Sequence, residues 1–127
     1  ELFVTEQGLF ANEMACRVHN SGHWSIEGAV CSQFENHIRA VAGLPLGSTE
    51  VIRPTVMINI IGQHPKSEAV LALNGAHLHL YNKSERAGRK LGHITLMPNN
   101  TDDLTDLCRQ LAKILPVPLA LTTDMNI

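Results

Sequence analysis

The chain has 127 residues, of which 44% are hydrophobic and 17% charged, and it carries a formal net charge of −2 with seven histidines. That balance supports a packed core and excludes an intrinsically disordered chain, and the length suits one compact domain or one and a half. The only basic run, Arg86-Ala-Gly-Arg-Lys90, is too short for a nucleic-acid surface, and no apolar run approaches the roughly 20 residues of a membrane span.

The chain starts without an initiator Met on the alternating segment Glu1 to Thr5, which reads as a cut end inside a longer protein. Glu6-Gln7-Gly8 predicts a turn with Gly at a position able to take positive φ. Leu9 to Arg17 then predicts a returning strand, so the opening is read as a β-hairpin. Glu13 sits inside this otherwise apolar strand, and a buried carboxylate requires a cation or metal beside it. His19 to His23 reads as a polar loop. From Ala29 to Ala42, apolar positions at Val30, Phe34, Ile38 and Val41 predict one face of a helix, stopped by Gly43. Leu44-Pro-Leu-Gly-Ser48 reads as a linker, which places a domain boundary near residue 44.

The remainder predicts strands with one closing helix. Thr55–Ile61, His77–Tyr81 and Gly92–Met97 are strand-like, and Asn82–Lys90 is the loop between the last two. Thr101 is the expected N-cap of a helix whose stripe is Leu104, Leu107, Leu111, Ile114 and Leu115, ended by Pro116 and Pro118. The expected fold class is therefore α+β, with a hairpin and helix over residues 1–43 and a small β-rich domain with a closing helix over 44–127. Cys16, Cys31 and Cys108 form no CxxC pair and read as reduced thiols of a cytoplasmic protein.

Three constellations carry potential chemistry. Glu1 and Glu13 flank the hairpin turn and face each other across the ladder, where a divalent cation would relieve their repulsion. The alternative is a solvated Glu1 and a Glu13 paired to Arg17. The histidine pairs His19/His23 and His77/His79 suggest zinc, but no CxxC or HExxH completes a four-ligand set, and His77 and His79 read better as strand residues pairing across a sheet. The loop Lys83 to His93 has four cations in eight positions and two glycines, which suits either a phosphate site or a solvated hairpin loop. Trp24 reads as core rather than as a ligand stack.

Taken together, Asn12-Glu-Met-Ala-Cys-Arg-Val-His-Asn-Ser-Gly-His-Trp24, Ser32-Gln-Phe-Glu35, Met57-Ile-Asn-Ile-Ile-Gly62, His77-Leu-His-Leu-Tyr81 and Gly88-Arg-Lys-Leu-Gly-His93 resemble, in order, the 5-(carboxyamino)imidazole ribonucleotide synthases. These are the ATPase subunits of phosphoribosylaminoimidazole carboxylase, in the ATP-grasp superfamily. The resemblance covers nearly the whole chain and weakens after about residue 100. It implies the end of an ATP-grasp domain followed by the family's carboxyl-terminal domain. The implied activity belongs to purine synthesis: ATP activates bicarbonate, the amine of aminoimidazole ribonucleotide is carboxylated, and ADP and phosphate leave.

The resemblance also implies roles. Glu1 and Glu13 match metal ligands, with Asn12 and Glu13 on the ATP side and one or two magnesium ions, replaceable by manganese, as cofactor with ATP. Arg17 matches a cation that steadies the transferred group. His19 and Asn20 match positions near the ribonucleotide, and Lys83, Arg89 and Lys90 match the loop that holds its 5′-phosphate, with Arg86 as a competitor for that contact. The implied assembly is a cytoplasmic homodimer with small-molecule substrates, neither nucleic acid nor membrane being a partner. Cys16 stands where relatives commonly have proline, and no counterpart of the nucleotide-binding lysines is present, so these residues alone are not expected to catalyse. The rival readings are another ATP-grasp carboxylase or formyltransferase and a non-catalytic ligand-binding module on the same scaffold.

Overall fold

A computed structural model describes residues 1–117 and divides the chain into two compact units, Glu1–Arg53 and Pro54–Ile127. Both units mix helices with antiparallel sheets, so the fold class is α+β as expected. No helix among the described residues is long and apolar enough to cross a membrane.

In the first unit, β1 (Leu2–Thr5) and β2 (Gly8–Ala11) form an antiparallel hairpin. Gly8 takes φ +116°, a conformation a side chain would strain, and the Thr5 hydroxyl accepts from Gln7 N–H and donates to the Gly8 carbonyl. The returning strand ends at Ala11, not at Arg17 as the alternation suggested. Asn12 N–H still donates to the Glu1 carbonyl and the Glu13 carbonyl accepts from Glu1 N, so hydrogen bonding between the two segments continues past Ala11 as far as Glu13. The expected polar loop is a 3₁₀ turn over Asn20–Gly22 that runs into the one-turn helix α1 (Ser25–Gly28).

Helix α2 spans Gln33–Val41, starting later than the expected residue 29. Ser32 accepts from Glu35 N–H and fixes the start, the arrangement that Ser-x-x-Glu favours. Residues 29–31 are instead extended against 48–52: Ala29 bridges Val51, Val30 N–H donates to Glu50 and Cys31 N–H to Ser48. These bonds draw the expected linker into the first unit, which is why the division falls between Arg53 and Pro54 rather than near residue 44. Of the expected apolar stripe, Val30 lies outside α2, and Ile38 and Val41 on it are 65% and 74% exposed rather than buried.

The second unit is a three-stranded antiparallel sheet in the order β3–β5–β4, built from β3 (Val56–Ile61), β4 (Ala76–Leu80) and β5 (Lys90–Leu96). Helix α3 (Ser67–Leu71) follows β3, and α4 (Thr101–Ile114) closes the unit. Five residues are too few for a periodic signal, so α3 is not visible in the sequence. Asn100, not Thr101, caps α4 by accepting from Asp103 N–H. The expected stripe is correct: Leu104, Leu107 and Leu111 bury with Cys108, and Ile114 and Leu115 pack beside them. Pro118, expected to help end α4, lies outside the described residues.

Strand alternation gives this sheet two different faces. Ile58, Ile94 and Leu78 share one row, and Ile58, Ile60, Ile94 and Leu96 join the α4 stripe in the core. The neighbouring rows, Asn59–His93–His79 and Met57–Thr95–His77, point to the opposite face.

Candidate functional site

The first cluster gathers where β1 and β2 end. Glu1 lies opposite Asn12, whose side-chain amide donates to the Glu1 carboxylate, and Glu1 N donates to the Glu13 carbonyl at 2.7 Å. His19 reaches in from the 3₁₀ turn. Its Nε2 is hydrogen-bonded to the Glu13 carboxylate, and its Nδ1 lies 4.0 Å from a Glu1 carboxylate oxygen. Ser21 N–H donates to His19 Nδ1 at 3.2 Å, so in the neutral ring Nδ1 is the acceptor and Nε2 carries the proton given to Glu13. The His19 hydrogen bond, followed by its charge, holds the Glu13 carboxyl below the ordinary carboxylate range.

Gln33, at the start of α2, fixes the position of His19. Its amide oxygen accepts from His19 N–H at 2.9 Å and its amide nitrogen donates to the His19 carbonyl at 2.7 Å. His23 donates from Nδ1 to the same carbonyl at 2.9 Å. Gln33 was not singled out from the sequence as a site residue, because its partner lies 14 positions away; the only signal was its place in the Ser32–Glu35 motif. Asn20 opens the turn, and its carbonyl accepts from His23 N–H. Arg17 donates to the neighbouring Val18 carbonyl, so the expected alternative of a Glu13–Arg17 pair is replaced by Glu13–His19. Trp24, read as core, is half-buried.

Among the described residues, no three His, Cys, Asp or Glu side chains are arranged to hold a metal ion by themselves. A magnesium ion carried on nucleotide phosphates needs less, namely one or two carboxylates and other oxygens. Glu1, Glu13 and the Asn12 amide oxygen are hard oxygen donors drawn together at one place, and Glu13 is ionised at neutral pH. The donor set fits that ion.

The second cluster belongs to the other unit. Asn82 turns the chain after β4 with φ +52°, a conformation Asn tolerates better than most residues. Lys83 and Lys90 then come over the Tyr81 ring, with their ammonium nitrogens 5.6 and 5.4 Å from its centroid. Burial, followed by repulsion from Lys83, pushes the Lys90 ammonium below its usual range. Arg89 donates to the Ser84 hydroxyl at 2.9 Å and to its carbonyl at 3.3 Å, so it ties the loop to itself. Beneath the lysines, the Tyr81 hydroxyl meets His93 Nδ1 at 2.6 Å, and burial raises the Tyr81 phenol. His93 stacks on His79 with ring centroids 4.3 Å apart, which is the cross-strand role expected for His79; His77 lies opposite Thr95. Gly92 permits this closeness, because a Cβ there would stand 2.1 Å from the His79 carbonyl oxygen.

Comparison with known proteins finds likenesses for stretches in both units. Residues 55–106 match the phosphoribosylaminoimidazole carboxylase C-terminal domain, and residues 1–34 match the ATP-grasp domain. The N5-carboxyaminoimidazole ribonucleotide synthase of Vibrio cholerae is 51% identical over 115 residues, 91% of this chain and 30% of that protein. The crystal structure of N5-carboxyaminoimidazole ribonucleotide synthetase from Thermus thermophilus superposes with TM-score 0.89 at 50% identity, covering 95% of this chain and 33% of that one. An Aspergillus clavatus N5-carboxyaminoimidazole synthase, solved with ADP and 5-aminoimidazole ribonucleotide, gives TM-score 0.80 at 35% identity, covering 90% of this chain and 33% of that one. The chain spans about 30% of the length of the curated relatives it matches.

Proposed function

We propose, from likeness in sequence and fold to the carboxyl-terminal part of N5-carboxyaminoimidazole ribonucleotide synthases, that this chain supplies two portions of the active site of an ATP-dependent carbon–nitrogen ligase. Residues 1–53 are the end of its ATP-grasp domain and residues 54–127 its carboxyl-terminal domain. The reaction is carboxylation of 5-aminoimidazole ribonucleotide in purine synthesis. The γ-phosphoryl group of ATP passes to bicarbonate, ADP leaves, the ribonucleotide amine attacks the activated carboxyl carbon, and phosphate leaves. The proposal includes a homodimer in the cytoplasm, a setting that the three free cysteines favour.

Glu1 and Glu13 would hold magnesium (or manganese), with Asn12 beside them on the nucleotide side; the ion supplies charge neutralisation for the transferred phosphoryl group. His19 keeps Glu13 ionised and in place, and Gln33 keeps His19 in place. Through His19, Asn20 and the Gln33 clamp, the same turn offers polar groups to a ribonucleotide. Arg17 adds a cation for the transferred group. Lys83 and Lys90, held over one aromatic ring, would receive the 5′-phosphate, and Arg89 would shape their loop. Burial first, and repulsion from Lys83 second, depress Lys90, and a phosphate between the two ammonium groups would offset both.

The observation that carries this reading is the cluster in which Asn12 holds the Glu1 carboxylate while His19 meets both Glu13 and Glu1, in the stretch that matches the ATP-grasp domain. Isothermal titration of the whole protein with magnesium-ATP and with aminoimidazole ribonucleotide tests it. Saturable binding of both is expected. Binding of the ribonucleotide without magnesium-ATP would favour a non-catalytic module, and binding of neither would end the proposal.

A further inference from the structure

The turn that follows β3 grips the loop that carries Lys83, and nothing in the roles assigned so far uses that grip. Gly62 N–H donates to the Arg89 carbonyl at 2.8 Å, and His64 N–H donates to a Glu85 carboxylate oxygen at 2.8 Å. The His64 ring adds a third tie, its Nε2 lying 3.1 Å from the Lys83 carbonyl. A carbonyl only accepts, so Nε2 carries the ring proton, and Nδ1 is the bare acceptor of the neutral imidazole. That Nδ1 is sealed from solvent and has no hydrogen-bond partner among the described residues. Leaving a buried polar atom unsatisfied is costly, so the ring is kept in this pose by the bond at its other nitrogen.

Pro65 follows His64 directly and restricts the His64 backbone to extended conformations, which stiffens the holder rather than the held. The loop, by contrast, is exposed over 82–88, and none of those residues joins the core cluster of the described residues.

We propose that His64 is a positioning residue for the phosphate-binding lysine: by donating from Nε2 to the Lys83 carbonyl, with Glu85 as the second point of the latch, it fixes where the Lys83 ammonium stands over Tyr81. The inference rests on the reading of Lys83 and Lys90 as the ribonucleotide phosphate site. It extends that reading to a residue whose side chain touches no substrate.

The test uses the whole protein that carries this chain, with His64→Leu, His64→Gln and, as a separate control, Lys83→Ala. Leu removes the donor at similar size, whereas the Gln side-chain amide can donate from nearly the position of Nε2. Amide hydrogen exchange over residues 83–89 is measured without ligand, and KM for the ribonucleotide, KM for ATP and kcat are measured separately. With His64→Leu, loop exchange speeds up and KM for the ribonucleotide rises about 3- to 10-fold, the worth of one lost hydrogen bond, while KM for ATP and kcat stay within about twofold. His64→Gln recovers most of both effects, and ¹⁵N imidazole shifts of the unaltered protein report the Nε2-protonated tautomer. Unchanged loop exchange in His64→Leu, or an equal rise in both KM values, overturns the latch. If Lys83→Ala leaves the ribonucleotide KM unmoved, the phosphate reading itself fails. If Lys83→Ala raises it and His64→Leu does not, only the latch fails.

Discussion

Glu13 is the residue on which the proposed chemistry turns, and its environment fixes how it should respond to change. Its side chain is half exposed, so the His19 contact adds little to folding stability; what it does is keep the carboxylate ionised and aimed. The sign follows from the direction of the shift. A carboxyl held below its ordinary range contributes fully above its unfolded value, and loses that contribution only as pH falls through the lower, folded value. Glu13 therefore introduces no pH dependence near neutrality. Glu13→Gln keeps an oxygen for His19 Nε2 and removes the charge a metal needs. In the whole protein it should lower kcat by about 100-fold or more, with the midpoint of thermal unfolding moved by no more than about 2 °C. Steady-state kinetics beside a melting curve checks this, and near-normal turnover would remove Glu13 from the metal site. The hairpin was legible from its spacing, but it sets Asn12 rather than Glu13 opposite Glu1, and His19 as the partner of Glu13 was not legible. A six-residue separation through a 3₁₀ turn has no periodic signature, and Arg17 was the nearer cation along the chain.

At the scale of elements, β5 is where fold and proposed site meet. It is the central strand, pairs with β3 and β4, and starts with the Lys90 that stands over Tyr81. Its closeness to β4 depends on Gly92, since a methyl group there would collide with the His79 carbonyl, a backbone atom that cannot swing aside. Gly92→Ala should cost about 1–3 kcal/mol in urea unfolding and should loosen the Tyr81–Lys90 arrangement with it. A variant as stable as the original would mean that the strands separate at no cost. β4 was readable from its strict alternation and β5 from the β-branched pair Ile94 and Thr95. The start of α2 was misplaced because Ala29–Cys31 continues the helical apolar spacing while in fact pairing with 48–52. A long-range bridge of that kind overrides local pattern, and Ser32, with its own capping signature, was the better guide.

For the whole molecule, order of motifs along the chain carried more than any single residue. The α+β class and the likeness to the synthase family were legible from the succession Asn12–Trp24, Ser32–Glu35, His77–Tyr81 and Gly88–His93, and the comparisons bear both out. The division of the chain was less legible: a Pro- and Gly-containing stretch at 44–48 looks like a linker, but its backbone is hydrogen-bonded into the first unit. The central claim is that this chain forms the metal-facing and phosphate-facing parts of a bicarbonate-using ligase. The most direct measurement is ADP release by the whole protein with magnesium-ATP, as bicarbonate and aminoimidazole ribonucleotide are added separately and together. The account predicts that ADP is released in step with ribonucleotide carboxylation and depends on bicarbonate only when the ribonucleotide is present. ADP release indifferent to both, or none with all three supplied, would contradict it.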